Sequence, residues 1–230
     1  MVLKPKVLFT GGTGRLGQQI ALINESIIMP PRAECDILDE QSIQKAIDRY
    51  KPQIIVHAAA YTDVKSAESD VVSCLETNVV GVYNILKKCI HNNVKMVYIS
   101  TDAVFDGKTG SYQNTDKVNP ISVYAKSKTA AEIMVQSYKN SLVIRTSFFG
   151  ETFPYDSAFI DQWTSKDYID IMAPKILKAC LSNSVGIRHV ASKRRSLYEL
   201  AKLRKQDVVA MSISDFNINF DLARDLSLKE

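Results

Sequence analysis

The chain has 230 residues, 46% of them hydrophobic and 23% charged. That is the ordinary balance of a soluble globular domain, and the length fills one core better than it divides into two. A net charge of +4 and a pI near 8.7 suit an anionic small molecule but are too weak to argue for nucleic acid. No run of about 18 apolar residues could span a membrane, and the opening MVLKPKVLFT is too short for a signal peptide. A cytoplasmic protein is expected, with no nucleic-acid or membrane partner; a homodimer stays open.

Cys35, Cys74, Cys89 and Cys180 are scattered with no CxxC pair, and His57, His91 and His189 are as dispersed. Neither a disulfide framework nor a metal site fits these spacings, so no metal is expected. Most of the thiols are expected to be buried, in a reducing compartment.

Val7-Leu8-Phe9-Thr10 is a short apolar run bounded by glycines and predicts a buried strand. Residues 17–26 carry Ile20, Leu22 and Ile23 at helical spacing, and residues 26–29 predict a second strand ended by Pro30-Pro31. Residues 40–50 place Ile43, Ala46 and Ile47 on one helical face, with Pro52 as the stop. Residues 53–57 form a continuous apolar run, as in a strand covered on both faces. A long helix is predicted over 70–92, a strand over 95–100, a helix over 124–139 and a strand over 142–144. Such alternation implies an α/β protein: a Rossmann-like, doubly wound parallel sheet with right-handed crossovers. Beyond Phe149 the pattern loosens into a helix over 169–181 despite Pro174, a short strand over 187–190, a helix over 196–205 and a polar surface tail over 221–230. The expected division, within one domain, is a nucleotide-binding core over 1–147 and a mixed, abbreviated segment over 148–230.

TGGTGRLG (residues 10–17) sets G-x-x-G-x-x-G between the first strand and the first helix. Gly11 would allow the tight turn, Gly14 the approach of a pyrophosphate, and Gly17 close packing of helix on strand. The anion then meets the free N–H groups of the helix start. Arg15 in the loop and Arg32 after the second strand, where many NAD sites carry an acid, favour a 2′-phosphate. NADPH is therefore expected, with NADH as the alternative if both arginines are merely solvated.

Tyr124 and Lys128 form a Tyr-x-x-x-Lys pair whose tips share one helix face, and a nearby ammonium would lower the phenol pKa. Tyr61/Lys65, Tyr83/Lys87 and Tyr198/Lys202 have the same spacing, so position must decide. Tyr124 opens a helix after the KMVYIS strand, and ligands of open α/β sheets sit beyond the carboxyl ends of strands. Thr101, at that strand's exit, would reach a substrate carbonyl.

The segments STDAVFDGKTGSYQNTDKVNPISVYAKSK (100–128), HAAAYTDVKSAE (57–68) and TGGTGRLG resemble the extended short-chain dehydrogenase/reductase family, especially its dTDP-4-dehydrorhamnose reductase branch. Residues 214–228 are similar to that branch's C-terminal end. By position, the resemblance implies Thr101, Tyr124 and Lys128 as the catalytic set. It implies cofactor contacts at Gly11, Gly14, Arg15, Leu16, Asp36, Ile37, Ala59, Ala60, Tyr61 and Thr62, beside Arg32, Tyr124 and Lys128. Thr101, Asp102 and Phe148 would face the sugar, Phe148 standing where the family commonly has tryptophan. Asn78 reads as a backbone bridge rather than a site residue. The departures are a much shorter stretch between Phe148 and Asp161, where the family places substrate-binding elements, and the absence of the usual Pro-x-x-x-Arg-Pro-type ending.

The implied reaction is NADPH-dependent reduction of the 4-keto group of a 4-keto-6-deoxy nucleotide-diphosphate sugar. Ala103 stands where related dehydratases need glutamate and epimerase-reductases need cysteine, which disfavours an epimerase or epimerase-reductase. A noncatalytic alternative is an NADP-binding regulatory subunit like the methionine adenosyltransferase β subunit. The shortened substrate region suits it, as does the basic run Lys193-Arg194-Arg195, whose plainer reading is a solvated helix start.

Overall fold

The computed structural model describes residues 5–215 and 223–230. Much of the stretch that resembles the family's C-terminal end, residues 216–222, lies outside the described residues. Four strands, β1 (Val7–Thr10), β2 (Ile54–His57), β3 (Lys95–Thr101) and β4 (Ser141–Thr146), and a fifth over Gly186–His189 form one parallel sheet in that order. The in-register ladders pair Phe9 with Val56, Val56 with Val97, and Val97 with Leu142.

Side chains alternate across the strands, and both faces are dry. Val7, Phe9, Val56, Val97, Ile99, Leu142 and Ile144 face α1 (Arg15–Ile23) and the helix over Ile169–Cys180. Leu8, Ile55, Met96, Tyr98 and Val143 face α2 (Glu40–Tyr50), the long helical stretch ending in Gly81–His91, and the helix over Val123–Gln136. Strands covered on both sides read as unbroken apolar runs, which is why these four short segments were legible. Asp39 caps α2 by accepting from the Gln41 N–H, and Lys51 ends it in the left-handed region at φ 48° before Pro52.

Several expectations need correction. The segment over 26–29 contributes one parallel bridge, Ile28 to Leu8, rather than a strand; Pro30 and Pro31 follow at once and allow no longer ladder. The helix predicted over 70–92 runs as one helical stretch from Val71 to His91, but with a π turn over Glu76–Val80 between Val71–Leu75 and Gly81–His91. A further short helix over Val64–Ser69, capped by Asp63, was not anticipated.

The tail over 221–230 is no surface appendage in its described part. Asp225, Ser227 and Leu228 are buried. Backbone bonds tie Tyr112 to Ser227 at 2.9 Å and Trp163 to Arg224 at 2.7 Å. Its polar groups are satisfied internally: Asp225 receives the Arg194 guanidinium at 2.7 Å and the Ser227 hydroxyl at 2.6 Å. Arg194 also lies 4.1 Å from the Trp163 ring centroid, and Arg195 pairs with Asp167 at 3.2 Å. Of the basic run, Arg194 thus clasps this segment and Arg195 holds Asp167, while Lys193 is exposed, as a solvated helix start would have it.

Truncation after Arg224 should lower the melting temperature by roughly 5–10 °C, the response of a chain this size to losing about 2–3 kcal/mol. Circular dichroism melts check this, and an unchanged transition would show that the segment carries no stability.

Candidate active site

The chain leaves β1 toward Ile28 on one side and returns through β2 on the other. A crevice opens between their exits, the position at which doubly wound sheets bind ligands. A cleft of about 1030 Å³ starts there. Gly11 makes the turn at φ +83°, where a Cβ would stand 2.6 Å from the Ala59 backbone nitrogen. Inside α1, a Cβ on Gly17 would stand 2.5 Å from Gly12 Cα. Gly14 is the N-cap of α1 and supplies no side-chain cap, so the helix start presents backbone donors to the cleft.

Gly11, Gly14, Arg15, Leu16, Arg32, Asp36, Ile37, Ala59, Ala60 and Thr62 all line this cleft, and Thr101, Tyr124, Lys128 and Phe148 line its other end. Tyr61 and Asp102 do not. Tyr61 is held through its backbone by Asn78, whose amide accepts from Tyr61 N at 2.8 Å and donates to Tyr61 O at 3.0 Å. The same Asn78 amide donates to the Ser127 hydroxyl at 2.9 Å, so it bridges the β2 exit to the helix carrying Tyr124. Asp102 is buried behind Thr101, with its carboxylate 3.9 Å from Lys166 Nζ. Thr10, Ser100, Thr146, Ser147 and Tyr155 also line the cleft without having been anticipated. The strand-end rule that found Thr101 applies equally to Thr146 and Ser147 after β4.

At the far end Arg15 is exposed and unpaired among the described residues. Arg32 is not: its Nε donates to Asp36 at 3.0 Å. Asp36, which the family resemblance implies as a cofactor contact, therefore sets a carboxylate beside this part of the cleft, four residues beyond Arg32. Asp36 is held below the usual carboxylate range by the Leu38 backbone N–H and by Arg32, against the opposing effect of burial.

At the near end Ser122 caps the helix over Val123–Gln136, accepting from Ala125 N at 3.1 Å, which sets Tyr124 in the first turn and Lys128 one turn on. The Tyr124 ring keeps partial exposure to the cleft. Its phenol is desolvated and pushed up to about 12, a rise that the Thr101 hydroxyl bonding to it holds back and Asp102 adds to. The expected lowering by Lys128 is not what the structure shows, since the ammonium points elsewhere. Lys128 Nζ donates to the Ile99 carbonyl at 2.8 Å and lies 4.2 Å from the Tyr98 ring centroid. Burial drives this amine down to about 7, against the attraction of Glu132. His57, hydrogen-bonded to Thr10 Oγ1 at 2.7 Å, is forced down to about 3 by burial and by Lys128, and stays neutral. None of the other Tyr-x-x-x-Lys pairs lines the cleft; Lys87, for example, pairs with Glu40 at 2.9 Å. All four cysteines are free and buried.

A nucleotide-sized cleft with a glycine turn at one end and Thr, Tyr and Lys at the other agrees with known proteins. The family described as RmlD substrate binding domain matches residues 5–172. The chain belongs to that family. Among curated relatives, the dTDP-4-dehydrorhamnose reductase of Aggregatibacter actinomycetemcomitans is 34% identical over 183 residues, covering 74% of this chain and 61% of its own length. The spore coat polysaccharide biosynthesis protein SpsK of Bacillus subtilis is 30% identical over 218 residues, covering 85% of this chain and 77% of its own. The crystal structure of dTDP-4-dehydrorhamnose reductase from Bacillus anthracis in complex with NADP superposes with a TM-score of 0.86 at 27% identity, covering 99% of this chain and 91% of that one. The Rossmann-like fold and the family read from the sequence are borne out. The chain spans less than two thirds of the first of these relatives.

Replacing Asn78 by alanine leaves the Tyr61 N–H and the Ser127 hydroxyl without this partner. It should cost about 1–3 kcal/mol of unfolding free energy, read by urea denaturation; a change within error would remove Asn78 as the bridge.

Proposed function

We propose that the chain is an NADPH-dependent reductase acting on the 4-keto group of a 4-keto-6-deoxy nucleotide-diphosphate sugar. The observation that carries this reading is the meeting of Thr101, Tyr124 and Lys128 at one end of a cleft whose other end is the glycine turn at α1. The curated relatives named as dTDP-4-dehydrorhamnose reductases support the substrate class. Residues 1–147 supply the cofactor half and 148–230 the substrate half, except that the helix over Ile169–Cys180 and the strand over Gly186–His189 complete the sheet core, and Phe148 offers its ring to the sugar at the junction. We place the enzyme in the cytoplasm, as its free thiols suit, and among the described residues no helix is long and apolar enough to cross a membrane.

The residues fit a dinucleotide. The Gly11 and Gly17 contacts leave room for backbone alone, and the first turn of α1 supplies donors for a diphosphate. The hydroxyls of Ser100 and Thr146, buried without a protein partner, stand among the groups that line the cleft. Arg15 is the free cation for a 2′-phosphate, because Arg32 is shared with Asp36. Bound there, NADPH supplies the hydride for carbonyl reduction.

The protein's part is to hold the carbonyl and deliver a proton. Thr101 donates to the carbonyl oxygen once it releases Asp102, to which it donates at 3.1 Å in this structure. Tyr124, its phenol raised to about 12, stays protonated across the neutral range and gives its proton to the developing alkoxide. Lys128 lines the same end of the cleft and would hold the cofactor ribose once its ammonium turns from the Ile99 carbonyl, and from there its charge would favour the tyrosinate left behind. Ala103 lies in the turn directly after Thr101, its N–H bonded to Thr101 Oγ1 at 3.1 Å, and provides no base for dehydration or epimerisation.

NADPH oxidation measured with a panel of dTDP- and UDP-linked 4-keto sugars tests the reading. Turnover is expected, and tight NADPH binding without any turnover would replace it with the noncatalytic, regulatory one. In the active enzyme Tyr124→Phe should cut kcat by about 10²–10⁴ with NADPH affinity kept, the usual effect of removing a positioned acid. Near-normal turnover would sink the mechanism. Arg15→Ala should weaken NADPH more than NADH, read by fluorescence titration, whereas equal losses would move the 2′-phosphate contact elsewhere.

A further inference from the structure

Lys128 is a buried cation with a carbonyl, not a carboxylate, at hydrogen-bond distance. The titratable groups that act on it come from the elements packed around it: His57 from β2, Cys74 from the helix over Val71–Leu75, Tyr98 from β3, and Glu132 from its own helix, with Tyr124 lining the same cleft one turn before. Only Glu132 brings a full negative charge. It sits one helical turn beyond Lys128 and is 1% exposed. Both of its oxygens are taken by Arg145 of β4, with Nε at 3.1 and 3.2 Å and Nη2 at 2.8 Å. Arg145 is itself fixed, lying 5.0 Å from the Phe105 ring centroid and donating to the Asn114 carbonyl at 3.4 Å.

We propose that Glu132, clamped by Arg145, is a positioning residue that keeps Lys128 protonated while leaving its ammonium free to serve the cleft. The clamp explains the arrangement. An unclamped Glu132, four residues from Lys128 on the same helix face, would bond the ammonium directly and draw it into the protein. Held by the guanidinium fork, the carboxylate acts through a medium of low dielectric without consuming a donor. Burial has brought Lys128 to about 7, so near neutrality its charge state depends on that field.

The inference rests on the proposed role of Lys128, but its test reads the amine itself. In protein carrying ¹³C-labelled lysine, the Lys128 Cε resonance is assigned by its loss in Lys128→Met and titrated in the wild type, in Glu132→Gln and in Glu132→Gln/Arg145→Met. The double variant removes the cation that the single one strands, and so serves if the single one fails to fold. The midpoint is expected to fall by about one unit or more in Glu132→Gln, which strands the Arg145 cation nearby, and by less, but still measurably, in the double variant. In the active enzyme the alkaline limb of the pH–rate profile should move down with it, because activity is lost where Lys128 loses its proton. An unmoved midpoint, or a loss of rate equal at every pH, overturns the proposal and leaves Glu132 a purely structural residue. Absence of turnover in the wild type would sink the reductase reading, while the titration would still decide this one.

Discussion

The backbones leaving β1 and β2 approach so closely at Gly11 and Ala59 that no side chain fits between them. That contact follows from the change of direction of the chain: one crossover goes to the Ile28 side of β1, the next to the β2 side. The crevice between them is open only because the strands are covered on both faces by helices that cannot reach over their ends. The site is laid out from this line. The helix start of α1 supplies donors at one end. The exits of β3 and β4 bring Thr101, Thr146 and Ser147 to the other, and the helix that packs behind β3 presents Tyr124 and Lys128 across it.

Burial, more than any single bond, tunes that second end. Tyr98 lies fully beneath the site, its hydroxyl without a protein partner, with Lys128 over its ring and His57 stacked beside it at 6.1 Å. The same desolvation raises the two phenols and lowers His57 and Lys128. The phenol so raised keeps its proton across the neutral range, and the amine is brought near neutrality. Removing a buried charge from water is costly unless it is compensated. The bidentate Glu132–Arg145 pair, buried beside Lys128 on the same helix, meets that cost for itself.

What the sequence made legible was local or periodic. Apolar runs gave four strands of the sheet to within a residue or two, and the glycine spacing gave the turn at α1. The strand-end rule separated Tyr124 from three decoys of equal spacing. What stayed hidden depends on contacts between residues far apart in the chain. Asn78 is the backbone bridge the sequence suggested, but its partners, Tyr61 and Ser127, lie 17 and 49 residues away and could not be named from it. The C-terminal segment looked solvated because its composition is polar, yet Asp225 and Ser227 find their partners in Arg194 and Ser111. The Arg32–Asp36 pair was missed for the opposite reason: it is local, but only the turn after the prolines points the two side chains at each other.

The sheet core and the segments outside it are stabilised by different physics. The core, which takes in the helix over Ile169–Cys180 and the strand over Gly186–His189, hangs on a continuous sheet with two large apolar clusters. Outside it, short ladders such as Phe148–Phe149 with Asp167–Tyr168 and Trp163–Thr164 with Arg195–Ser196 supply little backbone cohesion. A small cluster around Phe153, Tyr168 and Leu200 holds them, as do ion pairs linking Arg195 to Asp167 and Arg204 to Asp170. The partly exposed Arg204–Asp170 pair contributes little and can be exchanged, whereas Arg195–Asp167 is largely buried and would be costly to break. A loop such as the one carrying Tyr155 can therefore be shortened or reshaped at small cost to the fold. The glycine turn cannot, because its neighbours are backbone atoms. Substrate preference is then free to diverge on a cofactor site that the packing of β1 against β2 holds constant.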